Sequence, residues 1–179
     1  MNFDEKKEKL ENIQKEIFEN VNHWLDVAEA KNFALLAFNI AVIAVILQIT
    51  DMNLYLYGIV SIFIISTIIV ILTSIPKINN IFWKSKGTDS VRDNLLFYFD
   101  IADYYSQDYL EQLYIRYIDN QNNISIVQLG NLNLHYAQEI VENSKITCKK
   151  YIGFKRAAIL DIIGFILCII LIFHMVIIK

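Results

Sequence analysis

The sequence predicts an all-α membrane protein, with three transmembrane helices carried on cytoplasmic helical stalks and a small helical bundle. Three observations predict it. The chain has 179 residues, 55% of them hydrophobic, with only 5 Gly and 1 Pro; so few breakers favour long helices over a turn-rich sheet. The apolar residues gather in three blocks, Phe33–Ile49, Leu54–Ile75 and Ala157–Ile178. Each is near the roughly 20 residues that cross about 30 Å of hydrocarbon, and soluble core helices rarely stay apolar around the whole circumference for that length. Lys and Arg are also one-sided. Lys6, Lys7, Lys9, Lys15 and Lys31 precede the first block, the cationic residues from Lys77 to Arg156 lie between the second and third, and Lys179 stands alone on the opposite side. Positive charge collects on the cytoplasmic side. The N-terminus and the 77–156 region are therefore expected in the cytoplasm and the C-terminus outside.

The first element starts in “MNFDEKKEKLENIQKEIFEN”, which lacks the apolar core of a secretory signal. Asp4 is placed to cap it, and glutamates enrich its first turns. Leu10, Ile13, Ile17, Val21, Trp24 and Ala28 recur three or four apart and make one apolar stripe. No Pro or Gly separates this stripe from the apolar run that follows, so one helix is expected to serve as stalk (1–31) and first span (32–50). “TDMN” at 50–53 is a short outer turn, returning the second span (54–76) antiparallel to the first. Tyr55 and Tyr57 suit the outer interface, Trp83 the inner one, and Pro76 should stop or bend the span.

The cytoplasmic region, 77–156, opens with the loop “KSKGTDS”. Ser90 and Asp93 have capping-box spacing for a helix over Val91–Tyr104, and Ser106 can cap another over Gln107–Ile118. “DNQNN” at 119–123 is a polar break. Beyond it Ile124–Arg156 reads as one long helix that continues into the third span (157–178), with Gly130 and Gly153 as weak points. The C-terminal half thus repeats the fusion of stalk to span. No sequence repeat, low-complexity tract or second domain is evident.

Chemistry that would mark an enzyme is absent. His23, His135 and His174 share no metal-ligand spacing, and there is no P-loop, GxGxxG or GxSxG. No catalytic residue, metal or cofactor is expected. Cys148 and Cys168 fall on one helix, too far apart to bond to each other. The net charge of −3 says little about partners, and a nucleic-acid reading finds no dominant basic patch.

Three polar residues near or inside the spans stand out. Asn39 lies within the first span, where its amide could bond across helices. Asp161 is little more than one turn beyond Arg156. A charge in hydrocarbon costs roughly 2.5–3.5 kcal/mol on insertion scales, so it either sits at interface depth and pairs with a nearby Lys or Arg, or faces other spans or a pore. His174, near the outer end, fits the interface. Aromatic residues crowd the middle region from Phe97 to Tyr117. Most fit as packing between stalks, yet Tyr rings near Arg92, Arg116 and Lys150 could also stack a base and hold one phosphate charge.

These stretches carry a family resemblance. “WLDVAEAKNFALLAFN” resembles the first motif of the Pycsar transmembrane effectors, a pattern like ADxKAxxLLxxN. Lys31 and Asn39 match it, while Glu29 stands for the family's Asp and Asn32 for its Ala. “NLLFYFDIADYYSQDYLEQL” is similar to the block NLLFFxxIAxxxxxxY, matched at Asn94, Phe97, Ile101, Ala102 and Tyr109. “AQEIVENSKITCKKYIGFKRA” is similar to the closing motif, with Lys150 and Tyr151 before the last span, and Pro76 fits the family's Pro after the second. The likeness runs from about Val21 to the end. It implies an effector of bacterial antiphage defence in the inner membrane. Such an effector would respond to cyclic CMP or cyclic UMP made on infection and impair the bilayer. The ligand would fall to Arg92, Asn94, Tyr98, Arg116 and Lys150, and coupling or intramembrane contacts to Lys31, Asn39 and Asp161. Three spans are too few to enclose a conducting path, so a homo-oligomer is expected. The competing readings are a non-catalytic membrane adaptor and an effector of the SLATT type.

Overall fold

A computed structural model of the chain describes residues 2–49, 54–75, 93–119 and 126–177. The described residues are helical, without strands: α1 (Phe3–Ile46), α2 (Leu54–Ser74), α3 (Tyr98–Ile101), α4 (Ser106–Tyr117), α5 (Ile126–Leu129) and α6 (Asn131–Ile177). The expected turn at 50–53, Pro76, Trp83, the loop with Ser90, and positions 120–125 lie outside the described residues.

α1 is one helix throughout, as the uninterrupted sequence predicts. Its cap is Asn2 rather than Asp4. Asn2 Oδ1 accepts from the Glu5 backbone N–H at 2.8 Å, and Glu5 Oε2 accepts from the Asn2 N–H at 3.0 Å. This reciprocal pair satisfies two otherwise orphaned donors and leaves Asp4 in the first turn, beside the positive end of the helix dipole.

The chain divides into two compact units. The first takes in the described residues up to Val27 and those from Asp93 to Cys148. Its core joins Leu10, Ile17 and Val21 of α1 to Leu110, Leu113 and Tyr114 of α4 and to Ala137, Ile140 and Val141 of α6. The apolar stripe of α1 is what makes this possible. Trp24 departs from the expected burial and is 37% exposed.

Three sequence expectations for this unit are corrected. The helix expected over Val91–Tyr104 is only α3. Asn94 Oδ1 accepts from the Leu96 N–H at 3.0 Å, a local turn that competes with helix, and the chain turns again after Ile101. Ser106 is the first residue of α4, not its cap; Tyr105 is the cap and makes no side-chain capping bond. The long helix expected from Ile124 breaks at Gly130, whose φ of 85° lies in the left-handed region that glycine enters at little cost. Helix α6 starts at Asn131.

The second unit takes in Ala28 to Ile75 and the residues from Lys149 on. Among the described residues three helices, α1, α2 and α6, are long and apolar enough to cross a membrane, and each contributes residues to this unit. Phe63 is its most buried large residue, packed with Ile46, Leu56, Ile59 and Val60. Much of the remaining apolar surface is exposed, including Ile65, Leu72, Ile166 and Phe173. An apolar exterior over three long helices calls for hydrocarbon around it. α6 approaches α2 closely at Gly153 and Gly164. A Cβ on Gly164 would stand 2.8 Å from Phe63 Cε2, and one on Gly153 would collide with the Thr73 side chain. Small residues permit this approach where no water drives helices together.

Candidate functional site

In the first unit the segment Asp93–Tyr98 is pinned from several directions. Tyr104 Oη donates to Asp93 Oδ2 at 3.0 Å, Tyr109 Oη to the Leu95 carbonyl at 3.0 Å, and Arg116 Nη1 to the Asp93 carbonyl at 2.8 Å. The Asn94 N–H donates to Asp100 Oδ2 at 2.9 Å. Leu95 is fully buried, which turns Leu96, Phe97 and Phe99 outward as exposed apolar side chains. The Tyr98 ring lies 4.8 Å from Phe97 and 5.9 Å from Trp24, which pairs in turn with His23 at 6.0 Å. The result is an exposed aromatic surface on a segment held by buried hydroxyls and one guanidinium.

Of the five residues expected to hold a ligand, this unit brings three together. Asn94 and Tyr98 lie on the pinned segment, and Arg116 is bonded to it. Arg92 lies outside the described residues. Lys150 belongs to the second unit, where it is 7% exposed and pairs with Glu29 at 3.0 Å. Sequence reasoning assigned no site role to Trp24, which it placed in the packing stripe, or to Asp93, which it read as part of a capping box. Trp24 sits at stripe spacing, so no periodic signal separates it from the core.

Cys148 is buried, its Sγ 3.8 Å from the Tyr98 carbonyl. Burial pushes the thiol pKa up to about 12, and Asp103 and Asp100 add to the shift. A thiol so held is inert at neutral pH. Among the described residues no group of His, Cys, Asp or Glu is placed to hold a metal ion.

The second unit holds two polar clusters. Around the Lys150–Glu29 pair, Asn32 Nδ2 donates to the Ala28 carbonyl at 3.0 Å and to the Lys150 carbonyl at 3.3 Å. The Lys31 ammonium stands 5.0 Å from the centre of the Tyr151 ring, within cation–π range. Deeper in the apolar helices, Asn39, Ser66 and Asp161 are all buried and meet within hydrogen-bonding distance. Asp161 is buried there beside Asn39 and Ser66, and among the described residues no Lys or Arg pairs with it. Ser66 was not foreseen, because it is one of several Ser and Thr residues in the second span and nothing in the pattern marks which of them points inward.

No curated protein and no solved structure matches this chain. The family model described as the Pycsar effector protein domain matches residues 13–177, and so takes in all three membrane-crossing helices, the pinned aromatic segment and both polar clusters. The chain is a membrane protein that belongs to the Pycsar effector family, with the role in antiphage defence that defines such effectors.

Proposed function

We propose that this effector senses a cyclic pyrimidine mononucleotide, cyclic CMP or cyclic UMP, and responds by impairing the bacterial inner membrane so that infection is aborted. The observation that carries the reading is the exposed rings of Trp24 and Phe97, with the half-buried Tyr98 ring beside both, on a segment to which Arg116 is bonded. Aromatic faces stack a base without demanding its identity, and a guanidinium matches phosphate geometry. Asn94 and Tyr98 contact the base and ribose in this reading, and Arg116 supplies the charge. Arg92 is a further phosphate ligand. Lys150, committed to Glu29, contributes with Lys31 to coupling rather than to the first grip on the ligand. Helices α1 and α6 each contribute residues to both units, which gives a bound ligand a covalent helical route to the spans. Three spans are too few to enclose a conducting path, so the active form is a homo-oligomer. The first unit faces the cytoplasm and the C-terminus lies outside.

Calorimetric titration of the detergent-purified full chain with cyclic CMP and cyclic UMP tests this. One of them should bind, and Arg116→Ala should weaken it ten- to hundredfold, equivalent to about 1.5–3 kcal/mol. If neither nucleotide binds, the exposed Leu96–Phe99 surface is better read as the docking face of a non-catalytic adaptor.

A further inference from the structure

Each of the three long helices of the second unit sends one buried polar side chain to the same place. Asn39 comes from α1 and Ser66 from α2, both wholly buried, and Asp161 comes from α6 at 4% exposure. Ser66 Oγ lies 3.0 Å from the Asn39 amide and 3.2 Å from the Ala157 carbonyl of α6. With the amide oxygen facing Ser66, the Asn39 NH2 group lies 3.2 Å from both carboxylate oxygens of Asp161. A carboxylate only accepts, so this is the orientation its chemistry requires. Among the described residues no Lys, Arg or His forms an ion pair with Asp161. Its charge is therefore answered by neutral donors that exist there only while α1, α2 and α6 stay in register.

Asp161 also lines a groove of about 330 Å³ whose other walls include Leu35, Phe38, Ile162 and Phe165. The Phe38 and Phe165 rings stack across it at 5.5 Å. If α6 turns or slides against α1, the carboxylate leaves its donors and meets this apolar wall, where only water can replace them.

We propose that Asn39, Ser66 and Asp161 are the latch of the resting state, and that opening the latch draws water among the spans. Ser66 is its central positioning residue, because its single hydroxyl proton serves either α1, through Asn39, or α6, through Ala157 or Asp161. The inference rests on the reading of this chain as a membrane-impairing effector and adds the element that keeps it silent.

The full chain in dye-loaded phosphatidylethanolamine–phosphatidylglycerol vesicles, with no nucleotide present, tests it. Ser66→Ala and Asp161→Leu should leak about tenfold faster than wild type, the change expected from losing one or two interhelical hydrogen bonds. Asp161→Asn keeps an oxygen that accepts from Asn39 and should stay near the wild-type rate. A purely structural cluster would lower the melting temperature of Asp161→Leu with no rise in leakage, and that result overturns the latch. Should Asp161→Leu fail to fold, Ser66→Ala decides alone, since it removes a single oxygen. Wild-type leakage on addition of cyclic CMP or cyclic UMP is read separately. Leaking latch variants beside a nucleotide-blind wild type would overturn the nucleotide reading and keep the latch.

Discussion

Tyr109 is wholly buried; its ring packs edge-on against Tyr104 and its hydroxyl donates to the Leu95 carbonyl. Burial holds its pKa above the usual value, and Cys148 is pushed up to about 12 by the same cause. Both groups are neutral when folded and ionise more easily once unfolded, from about pH 8.5 for a thiol and about 10 for a phenol. Above those values the unfolded chain binds fewer protons than the folded one, so stability falls as pH rises. Lys6 acts in the same direction. Its hydrogen bond with Asp119 raises its pKa, and that contribution is present at neutral pH and disappears as pH climbs through the raised value. The melting temperature in detergent should therefore hold from pH 7 to about 8.5 and drop between about 9 and 11. Tyr109→Phe should lose roughly 1–3 kcal/mol at neutral pH by leaving the Leu95 carbonyl without its donor, and should show a shallower alkaline decline. An equally steep decline in that variant would assign the alkaline loss to other groups.

At the scale of elements, glycines separate what the sequence made legible from what it did not. Apolar runs as long as Leu54–Ile75 declare a spanning helix from composition alone, because length and hydropathy are summed over many residues. The break at Gly130 and the shrinkage of the 91–104 helix to α3 were not legible. Each turns on one local bond or one dihedral angle, a left-handed φ in the first and an Asn94 turn in the second. The candidate site follows the same logic. Asn94, Tyr98 and Arg116 share a motif-bearing region and come together in space, whereas Lys150, near in the chain to the third span, is drawn into an ion pair with Glu29 of α1. Gly130→Ala should cost about 1–2 kcal/mol, since a Cβ resists that φ. Gly164→Ala should cost about 1–3 kcal/mol by overpacking against Phe63. Thermal melts followed by circular dichroism measure both. A Gly164→Ala protein as stable as wild type would mean that the Phe63 ring can swing aside and that α6 is not closely seated on α2.

At the scale of the whole molecule, the sidedness of charge and the continuity of α1 make separate demands. Charge bias predicts that a periplasm-active reporter fused after Lys179 is active and that one inserted at Asn122 is silent; the opposite pattern would remove the cytoplasmic sensor. Continuity predicts something subtler. α1 runs unbroken from Phe3 to Ile46 and supplies residues to both units. If a ligand held by the first unit acts on the spans through this helix, the helix must stay well formed between Asp26 and Leu36. Ala30 and Ala34 are exposed in that stretch, so changing both to Gly removes helix propensity, roughly 1 kcal/mol each, while removing little packing. Asn32, Asn39 and the apolar span remain, so insertion and nucleotide affinity should be unchanged. Ligand-triggered dye leakage, and growth arrest during infection at equal protein level, should fall several-fold. A double-glycine protein that still leaks on cue would show that α1 serves only to pack the two units. The signal would then have to reach Asp161 along α6 or arise from assembly of subunits.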